Sequence, residues 1–263
     1  MSFVLSRPGL QVAFATFLVL IYSCPCFSQL LDTNNAIETN SSQSRNKTDW
    51  QDWGEVVVGG LFAVGMATRF DENVRSEMQG NDDVRSQPIA SIGNQWAEIG
   101  GVGVASALVG VGWYSDDKRW LHTGKTMVWS SAVGATAARA GKYAGGRLRP
   151  YQSEGSDHWF DGRGESFPSG HTTQAFALSV AYAESVPNPS WQRRTLAYSL
   201  AVSTAYARMY DNKHWLSDTV AGAIVGSLSA LAVIKYDLAE KGLQVLVSPG
   251  AGGEIGVSAT KTW

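Results

Sequence analysis

Along the chain, long runs of Ala, Gly, Val, Leu and Ser alternate with short polar or turn-rich connections. Six of these runs, 55–68, 96–114, 121–141, 171–186, 193–209 and 216–236, are long enough to predict helices rather than strands. Thirteen of the 28 glycines sit inside them, and small residues at that density predict helices packed closely against one another. The last stretch changes period. "LQVLVS", a "PGAGG" turn and "EIGVSAT" alternate in the manner of a β-hairpin over 241–263. The expected fold is therefore all-α: a bundle of about six helices over 55–240, followed by a short C-terminal β-hairpin.

The first 28 residues have the layout of an export signal: Arg7, the apolar segment "LQVAFATFLVLIY", and a small-residue site ending at Ser28. Both cysteines, Cys24 and Cys26, fall inside it. Cleavage after Ser28 would leave no thiol for a disulfide framework, a nucleophile or a zinc–thiolate site. Residues 29–54 are polar and rich in Asn, Ser and Thr, which predicts a linker or disordered arm.

A membrane span needs about 20 apolar residues. The longest charge-free runs, Ile99–Ser115 and Thr219–Ile234, fall short of that. They favour a folded domain outside the cytoplasmic membrane, lying against it, over a protein of six spans. A formal net charge of −2 gives no reason to expect nucleic acid as a partner.

Chemistry concentrates at the helix ends. "KYAGGRLRP" carries Lys142 and Arg149; "PSGH" carries Ser169, Gly170 and His171; "ARMYDNKHWLSD" carries Arg208, His214 and Asp218. Between the first two lies a loop dense in Gly, Asp and aromatics, and loops of that length inside a compact domain are usually functional. Three cations, a turn with outward N–H groups and a helix start make a seat for an anion. Asp218 follows His214 by four residues, so a helix beginning there would put both on one face. The carboxylate could then hold Nδ1–H and leave Nε2 free to attack. This is a set of parts for phosphoryl transfer, and no cluster with metal-ligand spacing stands nearby. His122 and His158 fit no such pattern and are expected at the surface.

The order and spacing Lys-x6-Arg-Pro, Pro-Ser-Gly-His, Arg-x5-His-x3-Asp resembles the type 2 phosphatidic acid phosphatase family over roughly 120–235. Its superfamily includes bacterial non-specific acid phosphatases and vanadium haloperoxidases. The resemblance implies that Lys142, Arg149, Ser169, Gly170 and Arg208 bind phosphate. It makes His214 the nucleophile, Asp218 its orienting carboxylate, and His171 the acid and then the base. No cofactor is expected. Two positions depart from the family pattern: Ala207 where Ser is usual, and Asn212 where a small residue, often Gly, is common.

A phosphatase on the exported side is therefore expected, its substrate a phosphorylated compound. The Gly/Ala-rich helices and the tryptophans near helix ends lean towards a lipid phosphate or pyrophosphate. Small phosphomonoesters, a vanadate-dependent haloperoxidase and a non-catalytic anion-binding envelope protein are the alternatives. Oligomeric state is not legible.

Overall fold

The computed structural model describes residues 49–80, 87–153, 155–162, 164–241, 244–249 and 255–260. For 49–53, 55 and everything from 241 onward, the backbone alone is described. The export signal read over 1–28 and most of the arm read over 29–54 lie outside these residues.

The six expected helices are present, and the structure adds helices the sequence did not announce. In chain order they are α1 (Asp49–Thr68), α2 (Asp71–Gln79), α3 (Gln87–Gln95), α4 (Gly101–Tyr114) and α5 (Lys118–Gly145). They continue with α6 (Gly170–Glu184), α7 (Trp191–Tyr210), α8 (Leu216–Lys235) and the short α9 (Leu238–Lys241). A π turn over Trp96–Gly100 joins α3 to α4 without a break. The run expected to start at 96 is thus the second part of a helical stretch from Gln87 to Tyr114. Of the hairpin expected over 241–263, only backbone at Gln244–Pro249 and Ile255–Thr260, running antiparallel, falls among the described residues.

Helix α6 is the centre. It packs against α5, α7 and α8, and α8 packs in turn on α5 and α1. Small residues permit this closeness. A Cβ on Gly226 of α8 would stand 2.3 Å from the Thr173 carbonyl oxygen of α6, and one on Gly222 would stand 2.6 Å from that of Ser169. The expectation of close helix packing holds here, and it draws the two helix starts together. The Ser169 N–H donates to the Asp218 carbonyl at 3.0 Å.

Local signals fix the ends. Asp117 caps α5 by accepting from the Arg119 N–H at 2.9 Å. The same helix stops at Gly146, whose φ of 49° puts it in the left-handed region and whose N–H returns to the Lys142 carbonyl. Ser169 caps α6, its Oγ accepting from the Thr172 N–H at 3.4 Å. The ends at Gly146 and Ser169 turn the chain beside the candidate site residues.

The outer helices differ in what they show to solvent. Val58, Leu61 and Phe62 of α1 are exposed, as are Ile99, Val102, Val111 and Trp113 around the π turn and α4. Gln87–Tyr114 and Leu216–Lys235 are each long and apolar enough to cross a membrane, the first mostly uncovered and the second mostly buried. Fusion of α3 with α4 supplies the length that the apolar run from Ile99 lacks by itself.

Candidate active site

The helix ends at one pole of the bundle surround a cavity of about 480 Å³. Lys142 and Arg139 reach it from α5, Gly170, His171 and Gln174 from α6, and Arg149, Glu165 and His214 from the loops. Ala97 and Glu98 of the π turn, with Ala135 and Ala138 of α5, form the remaining wall. Both imidazoles and two of the three cations expected to grip an anion therefore face one space.

The other expected residues stand just behind it. Arg208, at the end of α7, is buried; its Nη1 donates to Asn94 Oδ1 at 3.0 Å and lies 3.9 Å from Asp211. Its charge still acts on His171. The Ser169 hydroxyl is occupied by its cap and by Thr172 Oγ1 at 2.9 Å. Asp218 is fully buried beneath His214.

Sequence spacing suggested that His214 and Asp218 share a helix face. They do not. Helix α8 begins at Leu216, after His214, and Trp215 is its cap residue. Asp218 occupies the third helical position, where its Oδ2 accepts from the Trp215 N–H at 2.9 Å. The pairing survives through this turn instead, with His214 Nδ1 at 3.7 Å from the same Oδ2. That is close enough for charge attraction and longer than a hydrogen bond.

Asp218 is itself held tightly. Its Oδ2 also accepts from Ser166 Oγ at 2.5 Å, and its Oδ1 from Arg147 Nη1 at 2.8 Å. Burial pushes its carboxyl up, yet His214 and Arg147 together hold it below the usual range. Burial pulls the His214 imidazole down to about 4 against the attraction of Asp218. His171 is also brought to about 4, first by burial and then by the charge of Arg208. Lys142 is lowered to about 8 by burial and by Arg149. Its Nζ donates to the Glu165 carbonyl. Both imidazoles are thus neutral at neutral pH, and burial presses Lys142 and Arg208 to shed charge. Such a site favours an incoming anion.

Asn212 adopts φ 54°, the left-handed conformation that glycine supplies most easily. Its Oδ1 accepts from Arg75 Nε at 3.1 Å. His122 is half-buried and His158 exposed, and they pair with Glu240 and Asp157 respectively. Among the described residues, no group of three His, Cys, Asp or Glu side chains could hold a metal ion.

Several residues around the site were missed from sequence: Asp71 and Arg75 of α2, Asn94 of α3, Glu98, Arg147, Ser166 and Ser217. Arg147 sits within "GGRLRP" beside Arg149, and nothing in the spacing tells which arginine enters the protein. Asp71 opens a helix with few apolar residues and reads as a surface acid.

Residues 123–241 match the family model described as the PAP2 superfamily. That segment is similar to the PAP2 superfamily. Every expected site residue lies inside the matched segment, and α1–α4 lie outside it. The crystal structure of LpxE from Aquifex aeolicus aligns with a TM-score of 0.50 at 15% identity, covering 64% of this chain and 96% of that one. At that identity the likeness concerns the fold. No curated protein matches the chain.

Proposed function

We propose that the protein is a metal-independent phosphatase that cleaves a phosphate ester through a phosphohistidine, with a lipid as the leaving group. The observation that carries this is the convergence of Lys142, Arg149, His171 and His214 on one cavity. The PAP2 similarity supports it.

In this reading Lys142, Arg149 and Arg208 neutralise the phosphoryl oxygens, joined by the N–H groups of Ser169 and Gly170 at the α6 start. His214, neutral and with Nδ1 towards Asp218, attacks phosphorus through Nε2. The N–P bond forms as the bond to the leaving oxygen breaks, and His171 gives that oxygen its proton. Water then loses a proton to His171, attacks phosphorus and breaks the N–P bond, releasing phosphate. The negative charge of a bound substrate favours the protonated form of His171 and loads the proton that the leaving group needs.

The lipid preference rests on the alanine wall of Ala97, Ala135 and Ala138 beside the charged seat, and on the exposed apolar side chains of α1 and α4. Two helices long and apolar enough to cross a membrane are compatible with a membrane-associated protein. The export signal read from sequence would put the site on the non-cytoplasmic side.

The test is turnover of phosphatidic acid, a polyprenyl diphosphate and p-nitrophenyl phosphate by purified protein with EDTA present. Hydrolysis that survives EDTA and falls on the order of 10³-fold or more in His214→Ala is expected. Rapid quench should trap phosphate on the protein. Turnover lost with EDTA, or unchanged in His214→Ala, overturns the reading. Faster turnover of the small ester than of either lipid overturns the lipid preference alone.

A further inference from the structure

Beneath the cavity lies a buried charged chain that the motif residues do not explain. The Arg147 side chain is 1% exposed and stands between two carboxylates, Asp71 and Asp218, that are fully buried. Its Nη1 donates to Asp218 Oδ1 at 2.8 Å and to Ser217 Oγ at 2.7 Å. Its Nη2 donates to Asp71 Oδ2 at 2.7 Å and to the Ser156 carbonyl at 2.6 Å. The guanidinium lies 4.5 Å from the Trp159 ring centre and 5.3 Å from that of Trp215. Few side chains are so completely boxed in.

Asp71 closes the far end. Its Oδ1 accepts from the Ser217 N–H at 2.8 Å, and its Oδ2 accepts from Ser217 Oγ at 2.7 Å as well as from Arg147. Burial pushes the Asp71 carboxyl up, with Arg147 and Ser217 working against that push; all three groups can donate to a carboxylate, so the geometry is that of an ionised Asp71. Two carboxylates and one guanidinium leave one negative charge in excess under a neutral His214. An isolated excess charge is costly in a dry interior. A positive charge developing on the imidazole ring would cancel it.

We propose that Asp71 and Arg147 are positioning residues for phosphoryl transfer. Arg147 holds Asp218 so that Oδ2 faces His214 Nδ1, and Asp71 holds Arg147. Asp71 also supplies the negative charge that favours the ring as it becomes positive on forming its bond to phosphorus. When Nε2 takes up the phosphoryl group, Nδ1 keeps its proton and the ring carries the charge that the buried excess matches. Neither residue touches the cavity, so substrate binding is left largely alone. The inference rests on the phosphatase reading and extends it to α2, outside the PAP2 segment.

The experiment uses the full chain and four proteins: wild type, Asp71→Asn, Asp218→Asn and the double variant. Asparagine keeps the shape of Asp71 and its capacity to accept from Arg147. Asp71→Asn should lower kcat roughly 10- to 100-fold, in the manner of outer partners of a reacting group. The inhibition constant of inorganic phosphate should stay within about twofold. The effects of Asp71→Asn and Asp218→Asn should not multiply, because one acts through the other. The double variant should be no slower than Asp218→Asn. An unchanged kcat in Asp71→Asn overturns the proposal, and so do losses that multiply. If Asp71→Asn does not fold, Ser217→Ala is read the same way, with a kcat loss of about three- to tenfold that disappears in the Asp218→Asn background. No turnover by wild type would sink the phosphatase reading. Active wild type, inactive His214→Ala and an unaffected Asp71→Asn would sink this inference alone.

Discussion

Helices α5–α8 and the segment from α1 to α4 contribute different kinds of residue in and around the same cavity. From the first group come Lys142, Arg149, His171 and His214, the groups placed to meet an anion. From the second come Asp71, which pairs Arg147, Arg75, which holds Asn212, Asn94, which holds Arg208, and Glu98 in the cavity wall. The packing differs too. Helices α6 and α8 touch backbone to backbone through glycine, whereas α1 and α4 show apolar side chains to the outside. The contrast teaches that reacting groups can be confined to one segment while the charges that hold them come from another.

The largest effect should separate the two groups by packing alone. Gly226→Ala puts a methyl group 2.3 Å from a backbone oxygen of α6, and only movement of a helix could relieve that. Overpacking costs typically about 1–3 kcal/mol and occasionally more. The Ser169–His171 turn would move with α6, so the melting temperature should fall and turnover with it. Gly65→Ala on α1 is the counterpart. Nothing lies within 4 Å of its Cβ, and alanine is worth up to about 1 kcal/mol over glycine inside a helix. Its melting temperature should hold or rise with activity intact. Equal destabilisation of both variants would erase the contrast.

How much of this was legible in the chain follows the same division. Lys142, Arg149, His171 and His214 share a spacing because two helix ends and two loops must bring them to one point. Asp71 and Asn94 carry no such spacing. The helix of Asp71 has only Val74 and Met78 as apolar anchors, and that of Asn94 contains Pro88 and Gly93, which read as breakers. Gly93 is there because α7 presses on it; a Cβ would meet the Ser203 carbonyl oxygen at 2.1 Å. Such a reason belongs to the neighbour and not to the segment. The spacing Lys-x6-Arg-Pro points to Arg149 and is silent on Arg147, whose place is set by two tryptophans and two buried carboxylates.

Next in size is Asn94→Ala. Asn94 accepts from Arg208 at 3.0 Å and donates to Asp211 at 2.9 Å, so its loss frees a buried guanidinium and the carboxylate that balances it. A hydrogen bond to a charged group is worth about 1.5–3 kcal/mol, which corresponds to roughly a 10- to 100-fold rise in the inhibition constant of phosphate. The stability change should be smaller. Unchanged phosphate affinity would mean that α3 merely shields the site.

The pH dependence sharpens the account of the cations. Burial and the neighbouring Arg149 lower Lys142 to about 8. Below that pH it is charged and favours the anion; above it the charge is lost, and kcat/KM should fall by up to about tenfold per unit. Lys142→Arg keeps its charge throughout, so its profile should stay flat where wild type declines, whatever its level at the optimum. A decline near pH 8 that persists in this variant would assign the limb to another group.

The smallest effect tests whether a contact from α2 reaches the loop before His214. Asn212 holds φ 54° at a position where glycine would be relaxed, and it spends its side-chain oxygen on Arg75. Asn212→Gly therefore keeps the backbone turn and removes one contact between the outer and inner groups. Arg75 retains the Ser153 carbonyl at 3.1 Å and its place 5.2 Å from the Trp215 ring centre, so the loop stays braced by other means. Turnover should change by no more than about threefold, within the range of one hydrogen bond partly replaced. Asn212→Val, with a branched side chain forced to a positive φ, should cost more in stability than the glycine variant does. If the glycine variant were the worse of the two, the Arg75 contact would matter more than the backbone conformation, and the outer helices would hold the loop before His214 directly.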